Sequence, residues 1–154
     1  MKVLIDCGFH YGENITWFFS QKGSSEYKMY AFEPNYKLIK HLPEKSLNGR
    51  LEVINKAVST FNGKRKFHIM ENDLSSSFYE KKNETIKETV EVECIDLCEW
   101  IKENINEDDN VFLKLDIEGE EYKIVPKLME QGLLGTYINE LYVEFHQKKL
   151  RDKI

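Results

Sequence analysis

Short apolar runs recur along the chain, separated by segments in which apolar residues follow helical spacing. Val3–Cys7, Met29–Pro34, Leu51–Ile54 and Val111–Asp116 are such runs, and Asn139–Phe145 alternates apolar with polar positions. Continuous apolar runs are typical of strands covered on both faces, and alternation is typical of a half-exposed strand. The pattern therefore predicts five strands of a largely buried parallel sheet.

The intervening segments predict amphipathic helices. Four helices are predicted, and the apolar residues of each face are given in parentheses. They are one helix from Gly12 to Gly23 (Ile15, Phe18, Phe19), one over Tyr36–Leu47 (Leu38, Ile39, Leu42), one capped by Asp96 (Leu97, Trp100, Ile101, Ile105) and one over Glu120–Gln131 (Tyr122, Val125, Leu128, Met129). Because proline lacks the amide that a helix interior needs, we expect Pro43 to shorten the second helix and Pro126 to interrupt the last.

The middle of the chain departs from this alternation of strands and helices. The third strand continues into Lys56–Ser59, and Asn62-Gly63 then favours a two-residue hairpin into Lys64–Met70. Polar and apolar residues alternate there and again in Val90–Cys94, as in half-buried strands. The whole order predicts one α/β domain over residues 1–154, with a mainly parallel sheet, helices on both faces and an inserted hairpin.

An acidic residue follows the apolar run of four predicted strands, at Asp6, Glu33, Asp116 and Glu144. Parallel strands end at one edge of a sheet, where open α/β sheets bind ligands, so we expect these carboxylates to meet at a common rim. Glu33 ends the second strand, where a carboxylate can accept hydrogen bonds from both hydroxyls of a ribose.

The loop after the first strand indicates which ligand the rim would hold. It reads Gly8-Phe9-His10-Tyr11-Gly12 and lacks the G-x-G-x-x-G spacing of a dinucleotide site. A cationic cofactor without phosphates, such as S-adenosylmethionine, suits this loop better. An ordinary strand-to-helix turn is the alternative interpretation.

Composition narrows the class of protein further. Of the 154 residues, 41% are hydrophobic and 32% are charged, which is typical of a globular domain. The net charge of -5 predicts no general attraction to nucleic acid or to an anionic membrane, and we expect neither a transmembrane segment nor a signal peptide. Cys7, Cys94 and Cys98 lack zinc-ligand spacing, so we expect buried thiols in a reducing compartment and a cytoplasmic protein.

Several stretches, in order, resemble the FkbM family of S-adenosylmethionine-dependent methyltransferases. They are VLIDCGFHYG, YAFEPN, NKAVS with Ser75–Ser77, LKLDIEGEE and VEFH. The acidic stretch, with Asp116, Glu118, Gly119 and Glu121, is the most specific of them. The resemblance implies a class I methyltransferase-like Rossmann sheet that transfers a methyl group to a hydroxyl of a sugar, a glycan or a natural product.

The resemblance also implies roles for individual residues. We expect the cofactor to contact Asp6, Gly8, Phe9, His10, Gly12, Glu33, Pro34, Ala57 and Asp116, although Phe9 and His10 stand where the family usually has small residues. Of these residues, Asp6, Gly8 and Gly12 would border the methionine end of the cofactor, Glu33 the ribose and Ala57 the adenine.

Catalysis and loop structure would fall to a second group of residues. Asp116 is the first candidate for the general base, or else a structural cap on the loop that follows it. His146 is the second candidate, or else an exposed residue near the terminus. Glu118 and Glu121 would shape the loop after Asp116. No metal is assigned, although Asp116, Glu118 and Glu144 could gather around a divalent cation.

The sequence departs from the family in three places. Phe9-His10-Tyr11 is bulky, Pro126 lies in a predicted helix, and Ile154 ends the sequence before the two strands that normally complete the sheet. A sheet shortened at the C-terminus would have an unpaired edge, which favours a homo-oligomer. Two other functions stay open: a non-catalytic S-adenosylmethionine-binding or scaffold protein, and a nicotinamide-dependent oxidoreductase, which the loop spacing disfavours.

Overall fold

Two sheets of different size organise the protein. The computed structural model describes residues 1–12, 15, 26–40, 42, 45–81 and 83–146. In chain order the elements are β1 (Lys2–Cys7), β2 (Tyr27–Phe32), α1 (Tyr36–Ile39), β3 (Lys45–Ser46), β4 (Leu51–Ile54), β5 (Ala57–Ser59), β6 (Gly63–Met70), a 3-10 turn (Asp73–Ser75), β7 (Ile86–Asp96), α2 (Leu97–Asn104), β8 (Asn110–Leu115), α3 (Glu121–Glu130) and β9 (Glu140–Val143).

The larger sheet has the strand order β3-β4-β2-β1-β8-β9. All its neighbouring pairs are parallel except β3 with β4. Cys7 of β1 lies beside both Phe32 of β2 and Leu115 of β8, so these three strands end level. The prediction of a mainly parallel sheet is confirmed, and the residues that follow the three strands meet at one edge.

Both faces of the larger sheet are covered, as the apolar runs predicted. Val3, Ile5 and Cys7 of β1 pack in one buried cluster with residues of α2 and α3, whereas Leu4 packs on the other face with residues of α1. Ile15 belongs to that second cluster, but the rest of the helix predicted from Gly12 to Gly23 lies outside the described residues. The cysteines are buried and unbridged. Among the helices described, none has the length and apolarity that crossing a membrane requires.

The smaller sheet shows that the predicted hairpin at Asn62-Gly63 is wrong. Its order is β5-β7-β6, so β5 and β6 lie on opposite edges of β7, parallel and antiparallel to it. The Asn62 side chain accepts a hydrogen bond from the Asp96 amide at 2.9 Å and donates one to Glu99 at 2.6 Å. Tertiary hydrogen bonds at the end of β7 have therefore replaced the local turn that the dipeptide favours.

The helix predicted over Tyr36–Leu47 is also wrong in its length. It ends at Ile39, Leu42 is exposed, and β3 pairs with β4 instead. The connection between β3 and β4 contains three successive residues with positive φ, Leu47, Asn48 and Gly49. Asparagine and glycine tolerate this conformation better than other residues, so Asn48-Gly49 is the turn signal that ends the helical pattern.

α3 is continuous through Pro126, so the predicted interruption is wrong. Pro126 is exposed and does not belong to the buried face of the helix. The buried face consists of Glu121, Ile124 and Leu128, while the predicted core residue Met129 is 64% exposed. The buried face of α3 is thus rotated relative to the predicted face, so that the acid Glu121 lies on it.

The other ends of the predicted elements fit the sequence to different degrees. Asp96 caps α2 as predicted, because its side chain accepts hydrogen bonds from the amides of Cys98 and Glu99. The last strand is shorter than predicted, since β9 ends at Val143. Phe145, predicted to alternate into the sheet, is 55% exposed.

Candidate functional site

A cleft lies where the carboxyl ends of β1, β2 and β8 face the smaller sheet. The larger sheet and its loops contribute Gly8, Phe9, His10, Phe32, Glu33, Pro34, Asp116, Ile117, Glu118 and Glu120 to its walls. The segment from Lys56 to Phe78, which includes β5 and β6, contributes Lys56, Ala57, Val58, Phe67, Asp73, Leu74, Ser76 and Phe78. The inserted strands therefore form the wall opposite the strand tips.

The loop after β1 is held close to the neighbouring strand tips. The amides of Gly8 and Phe9 both donate to the Phe32 carbonyl at 3.1 Å. Gly8 has a φ of +89°, and an added Cβ would lie 1.8 Å from the Asp116 carbonyl oxygen. Gly12 makes room for the Phe9 ring, whose Cζ would lie 2.7 Å from a Cβ at position 12. At both positions the neighbouring atoms lie so close that a Cβ would displace them.

Glu33 is a buried carboxylate at the tip of β2, only 6% exposed. Its Oε1 accepts from the Asn35 amide at 2.8 Å and its Oε2 from the His10 amide at 2.9 Å. Burial raises the pKa of Glu33 to about 7, although the two amide hydrogen bonds oppose the rise and the nearby charges of Asp6 and Asp73 add to it. Each oxygen still has a lone pair that a ligand hydroxyl can use.

This pKa predicts that the protein becomes less stable as the pH rises from about 4.5 to 7. The folded state binds the Glu33 proton more tightly than the unfolded chain, so the free energy of unfolding falls over this window, by roughly 3 kcal/mol at most. Urea unfolding near pH 5 and near pH 8 measures the difference. In Glu33→Gln the difference should shrink, and an unchanged difference would place the titrating group elsewhere.

Lys114 joins two of the rim acids. Its Nζ lies 3.2 Å from Oδ1 of Asp6 and 3.2 Å from Oδ2 of Asp116. Burial raises the pKa of Asp6 although Lys114 opposes the rise. For Lys114 itself burial lowers the pKa, but Asp6 and Asp116 outweigh it and the pKa is raised. The ammonium therefore stays charged between the two acids.

The three acids of the loop after Asp116 are all buried, each with its own partners. Glu121 accepts from the amides of Ile117 at 3.0 Å and Gly119 at 2.6 Å, so it shapes the turn. Glu118, in a left-handed conformation with φ of 60°, pairs with the buried Lys81. The loop is thus built around its carboxylates.

Glu120 ties this loop to the smaller sheet. Its Oε1 accepts from the Ser59 hydroxyl at 2.8 Å. Its Oε2 accepts from Arg65 at 3.0 Å and from the Tyr79 hydroxyl at 2.7 Å. The carboxylate therefore connects the acidic loop with the opposite wall of the cleft.

His146 is buried, so the alternative of an exposed residue near the terminus is wrong. It is 4% exposed, and its Nδ1 lies 3.0 Å from Oε1 of Glu121. Burial by itself lowers the pKa of His146, but the hydrogen bond with Glu121 and the carboxylates of Glu118, Glu121 and Asp116 raise it overall. The sequence could not reveal this burial, because it depends on a helix that is distant along the chain.

Most of the residues proposed from the sequence lie on the cleft. They are Gly8, Phe9, His10, Glu33, Pro34, Ala57 and Asp116. Asp6, Gly12 and His146 do not line it: Asp6 is buried against Lys114, Gly12 packs on Phe9, and His146 lies behind the acidic loop. The roles of all these residues stay predictions.

Sequence reasoning missed the aromatic residues that β6 and the segment after it bring to the cleft, Phe67 and Phe78, and also Arg65, which packs on one of them. Arg65 lies over the Phe78 ring, 4.3 Å from its centroid. Lys81 and Lys114 were also missed as partners of the acids. The alternation in Lys64–Met70 did indicate a strand, but not that its buried side would face a ligand site.

The level ends of β1, β2 and β8, with a glycine loop after the first and an acid after the second, define a Rossmann-like α/β protein with a ligand cleft at its strand tips. The family model described as the methyltransferase FkbM domain matches residues 6–152. The chain therefore belongs to the FkbM methyltransferase family. It matches no curated protein and no solved structure.

Proposed function

We propose that the protein is an S-adenosylmethionine-dependent methyltransferase that methylates a hydroxyl of a sugar, a glycan or a natural product. One observation carries this proposal: the buried acid Glu33 and the acid Asp116 line the same cleft, at the tips of the two parallel strands that flank β1. One acid is suited to a ribose and the other to a reacting hydroxyl. Membership of a methyltransferase family supports the reaction class.

The residues present suit S-adenosylmethionine. Both oxygens of Glu33 have a lone pair left for a ribose hydroxyl after accepting from the Asn35 and His10 amides. Phe9 and Phe32 supply apolar surface on the same cleft, and Ala57 is a small residue on its other wall. The loop offers no glycine-rich phosphate cradle, which fits a cofactor without phosphates.

The bound cofactor supplies an activated methyl group. The chain's own task is to align the acceptor hydroxyl and to receive its proton, and alignment alone can lower a barrier by about 7–11 kcal/mol. Asp116 Oδ1 is the proposed proton acceptor, because Oδ2 is already held by Lys114 at 3.2 Å. A positioned base of this kind adds roughly 10²–10⁴-fold to the rate.

Ligand binding tests the cofactor. We expect S-adenosylhomocysteine to stabilise the protein by roughly 2–3 kcal/mol at a hundredfold excess over its Kd, and NAD to have no effect. Glu33→Gln should weaken S-adenosylhomocysteine binding at least about tenfold, since hydrogen bonds to a carboxylate are lost. Glu52→Gln, on β4 and away from the cleft, is the control. Thermal unfolding and calorimetric titration measure both effects.

Methyl transfer to a panel of sugars and hydroxylated natural products completes this test. Stabilisation by NAD alone would favour an oxidoreductase, and stabilisation by neither ligand would end the proposal. Binding of S-adenosylhomocysteine without transfer to any acceptor would favour a non-catalytic binding protein. Full turnover in Asp116→Asn would move the base to another residue.

A further inference from the structure

The imidazole of His146 faces a group of carboxylate oxygens behind the cleft. Its Nε2 lies 3.3 Å from Oε1 of Glu144, 3.4 Å from Oε1 of Glu118 and 3.6 Å from Oδ1 of Asp116. The hydrogen bond of His146 is made by the other nitrogen, Nδ1, to Glu121, and Nε2 makes none within the described part of the chain. The side chain of this buried histidine, which is 4% exposed, thus directs Nε2 at three carboxylates at ion-pair distance.

The distances from Nε2 to Glu144 and to Asp116, 3.3 and 3.6 Å, are close to those between atoms that share a cation. Ligand atoms about 2.0–2.2 Å from one metal ion lie about 3.0–3.5 Å from their neighbours in tetrahedral or octahedral geometry. One ligand atom from each of Asp116, Glu144 and His146 lies within 4.8 Å of the others. Small side-chain shifts would bring all three onto one ion.

We infer that Asp116, Glu144 and His146 form a binding site for a divalent transition-metal ion of the Mn²⁺ type. An imidazole together with two carboxylates suits such an ion better than Mg²⁺ or Ca²⁺, which favour oxygen ligands alone. Asp116 keeps Oδ2 on Lys114 and turns Oδ1 toward the site. Glu118 lies beside it but is paired with Lys81 through Oε2.

The surroundings of the three ligands support this assignment. Histidines that bind metals usually donate their other ring N–H to a carboxylate or a carbonyl, which orients the ring. Glu121 occupies that position, and the Ile117 and Gly119 amides orient Glu121 in turn. The Glu144 side chain is half-exposed, which gives an ion a path from solvent.

The consequence for methyl transfer rests on the proposed function, but metal binding itself does not. Three protein ligands leave coordination positions open, and Asp116 also lines the cleft. An acceptor hydroxyl reaching one of these positions would become more acidic. With Oδ1 on the cation, Asp116 would hold the metal instead of accepting the proton as proposed above, and the more acidic hydroxyl would lose its proton to water.

Titration of the chelator-stripped protein with Mn²⁺, with the unbound ion followed by electron paramagnetic resonance, tests the site. We expect one Mn²⁺ per chain in the wild type. Glu144→Gln and His146→Gln should each weaken binding at least about tenfold. Glu140→Gln, at the start of β9 and exposed like Glu144, is the matched control and should bind as the wild type does.

Absence of Mn²⁺ binding up to about 1 mM, or equal affinity in the wild type and Glu144→Gln, would overturn the inference and leave His146 in an ion pair only. Because Glu144 is half-exposed, its replacement by glutamine should leave the fold intact, which circular dichroism checks. S-adenosylhomocysteine binding measured without metal separates the two proposals: normal cofactor binding without Mn²⁺ binding rejects the metal site alone.

Discussion

Replacing Gly8 by alanine should lower the free energy of unfolding by roughly 3–5 kcal/mol. The new Cβ would lie 1.8 Å from the carbonyl oxygen of Asp116 and 2.9 Å from its carbonyl carbon. Both are backbone atoms at the end of a central strand, so they cannot turn away as a flexible side chain can. The loop after β1 or the tip of β8 must move, and either movement displaces the cleft wall.

Gly135→Ala is the matched control for this variant. Gly135 has a φ of +86°, close to the +89° of Gly8, but an added Cβ would meet nothing within 4 Å. Its expected cost is the left-handed conformation alone, about 1–2 kcal/mol. Urea unfolding gives both values, with the slope m checked for a common unfolded state. Equal losses in the two variants would mean that the approach of Gly8 to Asp116 is easily relaxed.

The strands that meet at the cleft could be predicted because their signals are continuous and local. Val3–Cys7 and Val111–Asp116 are mainly apolar runs that are too short to be mistaken for a helix. A glycine follows the first run, and an acid ends the second. Once parallel, such strands must end at one edge, so Glu33 and Asp116 could be placed at one cleft before any contact was known.

The opposite wall could not be predicted, because pairing over long distances overrides local turn chemistry. Asn62-Gly63 is a strong hairpin signal, yet β7, with eleven residues, pairs with both β5 and β6. Nothing in the alternation of β6 indicates that β7 lies between it and β5. The aromatic residues that β6 and the segment after it bring to the cleft were therefore missed.

The burial of acidic side chains could not be predicted from the sequence pattern either. A helical pattern read from apolar residues alone chose Met129 for the core of α3, whereas Glu121 occupies that face because two amides and His146 satisfy its oxygens. A carboxylate can be buried only with such partners. Those partners come from another loop and from beyond β9, so the sequence pattern could not indicate them.

Glu120→Gln is expected to lower the free energy of unfolding by roughly 2–4 kcal/mol. Glu120 is 1% exposed and accepts from Ser59, Arg65 and Tyr79, so all its partners are donors. The glutamine amide would turn two more donors toward this group and leave the Arg65 charge without its carboxylate. Because Arg65 is partly exposed, water can solvate its unpaired charge, and this limits the loss of stability.

Urea unfolding of Glu120→Gln against Glu130→Gln, at the exposed end of the same helix, measures the effect. The double variant Glu120→Leu with Arg65→Met identifies its origin. If the ion pair is the cause, the double variant should lose clearly less stability than the sum of the losses in Glu120→Leu alone and Arg65→Met alone. In the double variant no buried charge is left unpaired. Strict additivity would instead assign the loss to Ser59 and Tyr79, and the acidic loop would then be joined to the smaller sheet by neutral hydrogen bonds rather than by charge.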